Sequence, residues 1–327
     1  MVALHIAPQL MVGEGWDAYR LLDSGHGRKW ERYGPYRFIR PEAQALWSPR
    51  LADWPADGEF VPGSDEDGGG RWNLDPAVPE GWPLAWQSAR FTAQCTPFRH
   101  LGFFPDMAPV WDWMGTQLAP LPFSGGAGGG EGAASHAESD RPHPDTCPEG
   151  EGLSTLNLFG YTGVGSLALS AHGPVVHVDA SKKSVAQARE NAALSGMADR
   201  PVRWLVDDAA KFAAREVRRG RRYDGIILDP PKFGRGPDGE VWRLEEGLPG
   251  LVADCGRLLD ADSRFLFLTV YAVRMSSLAL AGLLAEKLAH LPGVVEHGDL
   301  CVQEEPLGDA PRRHLPTAIF ARWRQTG

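Results

Sequence analysis

The residues best suited to chemistry lie at four places where an apolar run ends. After residues 153–159 comes Phe159-Gly160-Tyr161-Thr162-Gly163-Val164-Gly165, a GxxGxG bend that opens a helix. Glycine lets the backbone turn sharply and approach a ligand closely; a merely tight strand-to-helix turn explains the same residues. The spacing is not the GxGxxG of dinucleotide binders, and the GK[ST] ending of a phosphate loop is missing. The second run ends in Val178-Asp179-Ala180-Ser181. A carboxylate there can accept both hydroxyls of a ribose, and Asp179 or Ser181 serves equally as a helix N-cap. The third ends in Asp207-Asp208, where a carboxylate can accept the exocyclic amine of an adenine or, again, cap a helix. The fourth ends in Asp229-Pro230-Pro231-Lys232-Phe233. Two prolines make a rigid turn without amide donors. The Asp229 side chain and the Pro230 carbonyl are then held as acceptors for a donor on a substrate base, on which Phe233 can stack.

These stretches need a scaffold that aligns them. Apolar runs at 153–159, 175–178, 202–206, 225–228 and 265–270 alternate with helical patterns at 166–170, 183–194, 209–218, 248–259 and 276–291. A last pair of strands is expected at 294–300 and 317–323. The alternation predicts an α/β fold, a doubly wound, mostly parallel, Rossmann-like sheet over residues 153–327. Ligands then belong at the carboxyl ends of the strands, near the topological switch point. Residues 1–97 are rich in tryptophan, with short alternating stretches between Gly and Pro, and predict a small β-rich N-terminal domain. Residues 98–123 connect it onward and carry Val110, Trp111, Met114 and Leu118 at helical spacing. Residues 124–152 lack large apolar side chains and are expected to be a flexible Gly-rich linker.

Composition narrows the classes. The 327 residues hold 33 basic and 42 acidic side chains, a net charge of −9, which excludes a uniformly basic nucleic-acid coat. One local cluster stands out: Lys211, Arg215, Arg218, Arg219, Arg221 and Arg222, continuing at Lys232 and Arg235. It is the best candidate for an RNA contact and is expected near the same sheet edge as Asp229; a solvated helix end with cations suited to the dipole is the alternative. Four cysteines without a CxxC give neither a disulfide framework nor a zinc site, so no metal is expected. A reducing, cytoplasmic setting is the simplest reading. No signal peptide or apolar run of about 18 residues is present, so no membrane association is expected. The oligomeric state is not legible.

Residues 159–165, Asp179, Asp208 and Asp229-Pro230-Pro231, in this order, resemble a class I S-adenosylmethionine-dependent methyltransferase. More specifically, DPPKF together with LNLFGYTG and VDASK resembles the large-subunit ribosomal-RNA methyltransferase family that includes the cytosine-C5 enzymes, over residues 98–323. The resemblance implies S-adenosylmethionine as cofactor and RNA as substrate. It implies that Phe159, Gly160, Thr162, Gly163 and Gly165 hold the methionine part, Asp179 the ribose and Asp208 the adenine, while Asp229 to Pro231 stand beside the methyl group. It also implies that residues 100–105, with Phe104, cover the cofactor. Methylation of cytosine C5 needs a thiolate, which the family's cytosine members carry just after the fifth strand; Thr269-Val270-Tyr271-Ala272-Val273 holds none. Direct transfer to a ready nucleophile is therefore the expected mechanism. Three other readings stand beside it: methylation of a protein or small molecule, a nicotinamide-dependent oxidoreductase, and a methyltransferase-like fold that binds RNA without catalysis.

Overall fold

The computed structural model describes residues 2–63, 69–119, 153–271 and 273–326. The expected linker at 124–152 lies outside the described residues. The chain opens with two short strands, β1 (Val2–Leu4) and β2 (Gln9–Gly13). A five-stranded sheet follows: β3 (Tyr19–Gly25), β4 (Arg28–Tyr33), β5 (Tyr36–Pro41), β6 (Gly58–Pro62) and β7 (Gly70–Leu74). Next come a hairpin of β8 (Trp82–Trp86) and β9 (Ala89–Ala93), a 3-10 turn at Pro105–Met107 and helix α1 (Ala108–Leu118). The second half alternates: β10 (Thr155–Leu158), α2 (Val164–Leu169), β11 (Val175–Asp179), α3 (Lys182–Leu194), β12 (Val202–Val206) and α4 (Ala209–Arg218). It continues with β13 (Gly225–Leu228), a hairpin of β14 (Phe233–Arg235) and β15 (Val241–Arg243), α5 (Leu244–Arg257) and β16 (Phe265–Tyr271). Helix α6 (Ser277–Lys287) and the long strands β17 (Gly293–Gln303) and β18 (His314–Arg324) close it.

The large sheet runs β1-β17-β18-β16-β13-β10-β11-β12, with β2 also on β17. From β10 the chain steps outward to β11 and β12, then returns to the other side of β10 for β13 and β16, all parallel. The reversal between β10 and β13 leaves a crevice at the carboxyl edge, where α/β sheets take their ligands. Strand β18 is antiparallel to both of its neighbours.

Central strands of such a sheet are buried on both faces, so their side chains divide between two cores. In β16, Phe265 and Phe267 face one core while Leu266 and Leu268 face the other. The first core takes side chains of α1, α2 and α3, the second those of α4, α5 and α6. Tyr19, Tyr33, Phe38 and Trp82 of the N-terminal strands belong to the same cluster as Trp111 and Phe267, so that module packs onto one face of the sheet.

One feature departs from the expected organisation. Strands β1 and β2 do not join the N-terminal β-rich module; both pair with β17, nearly 300 residues away. Gly298 permits it, since a Cβ there would lie 1.7 Å from the Gln9 carbonyl oxygen. No local pattern announces a pairing between such distant segments.

The module is clasped from the far end of the chain. Arg313, just before β18, donates to Asp23 at 2.6 Å and to Glu304 at 2.7 Å. Both carboxylates are buried. Removing one partner of a buried ion pair costs about 3–5 kcal/mol, because the remaining charge stays desolvated. Arg313→Met is therefore expected to lower stability by about 3 kcal/mol in urea unfolding; an unchanged midpoint contradicts the clasp.

Candidate active site

The bend after β10 is held in an uncommon backbone shape. Phe159 and Tyr161 both have positive φ, at 60° and 49°, and Gly163 lies at 84°. For non-glycine residues this costs on the order of 1–3 kcal/mol each and persists only when the surroundings enforce it. Three hydrogen bonds do so, two of them buried. The Tyr161 amide donates to Asp179 Oδ2 at 2.9 Å, the Thr162 hydroxyl donates to the Gly102 carbonyl at 2.6 Å, and Asn191 Nδ2 donates to the Thr162 carbonyl at 2.9 Å. Below the bend, Asn157 Nδ2 donates to Ser166 Oγ, which contacts His177 Nδ1 at 2.9 Å. Burial pushes the His177 imidazole down to about 3, so it is neutral.

A cavity of about 600 Å3 opens at the carboxyl edge of the sheet. Asp179, Ala180, Ser181, Asp208, Asp229, Pro230 and Pro231 line it, with Phe104, Phe159 and Thr162. Gly160, Gly163 and Gly165 line a smaller recess of about 40 Å3 beneath the bend instead. Their need for glycine is set by packing: a Cβ on Gly160 would lie 2.4 Å from the His177 ring, and one on Gly163 2.7 Å from Ala188.

The ligand and capping readings of the carboxylates coexist. Asp179 accepts from the amides of Tyr161 and Ser181, and Ser181 caps α3 by accepting from Ser184. Burial raises the Asp179 carboxyl, and these two amides pull it back. Asp208 caps α4 by accepting from the Lys211 amide and still faces the cavity. Asp207 does not: its carboxylate is ion-paired with Arg215, which corrects its assignment to the ligand set.

At the fourth strand end, Asp229 Oδ1 accepts from the Thr269 hydroxyl at 2.7 Å. Burial, reinforced by the charge of Asp106, pushes the Asp229 carboxyl up to about 7. Phe233 is not the stacking residue. It is 47% exposed on β14 and does not line the cavity, because Lys232 intervenes and starts the exposed hairpin. The aromatic residue that does line the cavity beside the turn is Trp242 of β15, which packs on Phe159 with centroids 5.3 Å apart and donates to the Pro231 carbonyl at 2.7 Å.

No family model matches the chain. A crystal structure of an S-adenosylmethionine-dependent methyltransferase from Agrobacterium tumefaciens is 39% identical with a TM-score of 0.83, covering 99% of this chain and 96% of that one. The chain belongs to the S-adenosylmethionine-dependent methyltransferases. A putative methyltransferase of this type from Streptococcus mutans shares the fold, with a TM-score of 0.62 at 14% identity over 94% of this chain and 75% of that one. Ribosomal RNA large subunit methyltransferase I of Shewanella amazonensis is 38% identical over 85 residues, 25% of this chain and 22% of its own. The Aeromonas hydrophila protein of the same name is 39% identical over 85 residues, 25% of this chain and 21% of its own. The chain thus spans about a fifth of the length of these curated relatives.

Family membership sets aside the oxidoreductase reading. In this methyltransferase the arginine cluster is not at the cavity. Helix α4 starts beside Asp208 and runs back along the sheet for ten residues, about 15 Å. Arg218 to Arg222 therefore sit at the amino edge, where the Asp224 amide bonds the Ser154 carbonyl ahead of β10. Arg219 is paired with Glu216 there, whereas Arg215, in the second turn of α4, is paired with Asp207 at the carboxyl end of β12. Lys232 and Arg235 line the cavity itself and form no ion pair among the described residues. Among the described residues no cysteine lines the cavity; burial raises the Cys95 thiol to about 12 and the Cys301 thiol to about 11. The described residues hold no cluster arranged for a metal ion, and none of their helices is long and apolar enough to cross a membrane.

Trp242 was not singled out in the sequence, and Thr269 and Tyr271 appeared only as a stretch without cysteine; Tyr161, inside the glycine motif, and His100, inside residues 100–105, lay within segments that carried a signal. A methyl group at position 160 cannot be accommodated without moving His177, so Gly160→Ala is expected to cost roughly 1–3 kcal/mol in urea unfolding. A parent-like midpoint contradicts the packing account.

Proposed function

We propose that this methyltransferase moves a methyl group from S-adenosylmethionine to a base of RNA, ribosomal RNA being favoured. The observation that carries the reading is one cavity holding nucleoside-type acceptors, Asp179 and Asp208, next to the rigid Asp229-Pro230-Pro231 turn. The 85-residue likeness to ribosomal RNA large subunit methyltransferase I supports the substrate. A cytoplasmic location belongs to the same proposal.

The cavity fits the cofactor in size, since pockets of about 300–1,000 Å3 enclose ligands of this class, and in its carboxylate acceptors. When bound, S-adenosylmethionine supplies an electrophilic methyl group on a sulfonium. Asp179 is assigned the ribose hydroxyls and Asp208 the adenine amine, both retaining lone pairs beyond their backbone bonds. Phe104, Phe159 and Trp242 wall the site and exclude water. Asp229, oriented by Thr269, accepts an N–H of the acceptor base, and the prolines present no competing donor. With no cysteine among the described residues that line the cavity, transfer is assigned as direct and resting on positioning. Of the basic stretch, Lys232 and Arg235, rather than Arg218 to Arg222, are assigned the phosphates at the mouth.

Asp229 gives the reading a pH signature. Its carboxyl shifts from an ordinary 3.8 to about 7, so it ionises only as the pH rises through about 7. The folded state holds the extra proton between those values, so this group's contribution to stability falls as pH rises through that window. Activity runs the other way, because the ionised form is the acceptor. Methyl transfer to ribosomal RNA, followed by label incorporation and nucleoside mass spectrometry, is expected to show kcat/KM rising about tenfold per pH unit below about 7 and levelling above it. Asp229→Asn is expected to remove that limb and lower the plateau. Unlabelled RNA overturns the proposed function; a limb that survives in Asp229→Asn overturns the role of Asp229.

A further inference from the structure

The hairpin of β14 and β15 follows the Asp229-Pro230-Pro231 turn directly and has two unlike faces. Its register sets Phe233 opposite Arg243, Gly234 opposite Trp242 and Arg235 opposite Val241. Side chains of a strand alternate between faces. Trp242, buried against Phe159, therefore marks the inward face together with Gly234. Phe233, Arg235, Val241 and Arg243 form the outward face, and all four are exposed. Among the described residues no third strand pairs with this ribbon.

A single exposed apolar side chain needs no explanation. Two of them, Phe233 and Val241, set between two guanidiniums on one small face, do. The cations of this face are free to bind. Arg235 and the adjoining Lys232 form no ion pair among the described residues. Arg243 reaches only Glu246, at 3.6 Å with both side chains largely exposed, an arrangement that contributes little. The acids of the hairpin lie elsewhere, at its tip: Asp238, and Glu240, which is paired with Lys211. The outward face itself thus holds an aromatic ring, a valine and two cations, and no carboxylate.

We propose that the outward face of this hairpin binds single-stranded RNA beside the target nucleotide, with Phe233 stacked on the neighbouring base and Arg243 on a phosphate. The inference rests on the proposed function and adds the form of the substrate to it: a strand left unpaired where it crosses the hairpin. Phe233 lies outside the cavity and so does not meet the target base, but it stands three residues after Pro230, at most about 10 Å of chain. A strand whose target base enters the cavity lays its next nucleotide over this face, and Lys232 and Arg235 at the mouth make the path continuous. An unpaired nucleotide matches the pattern of the face, its base presenting a π-surface to Phe233 and its phosphate meeting the guanidiniums. A duplex keeps its base faces inside the stack and offers phosphates alone. Phe233 and Arg243 position the strand; neither touches the methyl donor.

Fluorescence anisotropy of the full chain tests it, using a short end-labelled single-stranded RNA of mixed sequence and the same RNA annealed to its complement. The single strand is expected to bind at least about tenfold more tightly than the duplex. Phe233→Ala is expected to weaken single-strand binding at least about fivefold at every salt concentration, and Phe233→Trp to keep parental affinity. Arg243→Gln is expected to reduce the slope of log affinity against log salt by about 0.7, the loss of one phosphate contact. Melting temperature and S-adenosylhomocysteine affinity are expected to stay parental in all three variants. Equal affinity for single strand and duplex, no binding of the single strand, or parental behaviour in both Phe233→Ala and Arg243→Gln overturns the docking face. So does Phe233→Trp binding as weakly as Phe233→Ala, or a fall in S-adenosylhomocysteine affinity in Phe233→Ala and Arg243→Gln, which assigns them to the donor cavity. A parent that labels ribosomal RNA with a KM that neither Phe233→Ala nor Arg243→Gln changes contradicts the docking face alone. Single-strand binding that depends on Phe233, in a parent that leaves ribosomal RNA unlabelled, contradicts the broader reading alone.

Discussion

The carboxylate of Asp179 bonding the Tyr161 amide is the constraint on which the site turns. That bond ties the end of β11 to the bend after β10 and holds Tyr161 at a positive φ that its side chain disfavours. The same bend is gripped from two other directions, by the Gly102 carbonyl and by Asn191 of α3. Released from these partners, the backbone would relax towards ordinary angles and Phe159 would leave the wall it shares with Trp242. Strain concentrated here, and balanced by these three bonds, gives a rigid floor to a cavity that must place a small ligand accurately.

The covering side depends on the N-terminal half. The segment bearing Gly102, Phe104 and Asp106 follows the β8–β9 hairpin, which is bonded to α3 through Asn191 and Ser195. Asn191 therefore serves both sides at once, accepting from the Thr92 amide and donating to the bend. The N-terminal strands thus act as more than an appendage: Tyr33 and Phe91 pack on Phe103, the neighbour of Phe104, with ring centroids 5.5 and 4.5 Å apart. The Arg313 clasp holds that module from the last strand.

How much of this could be read in the sequence depends on how local the signal is. The four strand ends were legible, because strand, turn and ligand group follow one another within a few residues. The alternation that gives the sheet was legible for the same reason, down to the final pair now seen as β17 and β18. Trp242 and Tyr271 were not, since each reaches the cavity from an element whose placement is a tertiary matter. Asp207 and Asp208 are adjacent, and only the geometry of α4 decides which caps it and faces inward and which pairs with Arg215. The arginine cluster misled because it is continuous in sequence with a helix that starts at the cavity; a helix between parallel strands must carry its far end to the opposite edge.

The account stands on the carboxyl edge of this sheet as the seat of the methyl donor. A crystal structure of the protein with S-adenosylhomocysteine tests that most directly. The account predicts the ribose hydroxyls within hydrogen-bond distance of Asp179, the adenine amine at Asp208 and the thioether sulfur facing Asp229. A ligand bound elsewhere, or a cavity still empty at saturating ligand, contradicts it.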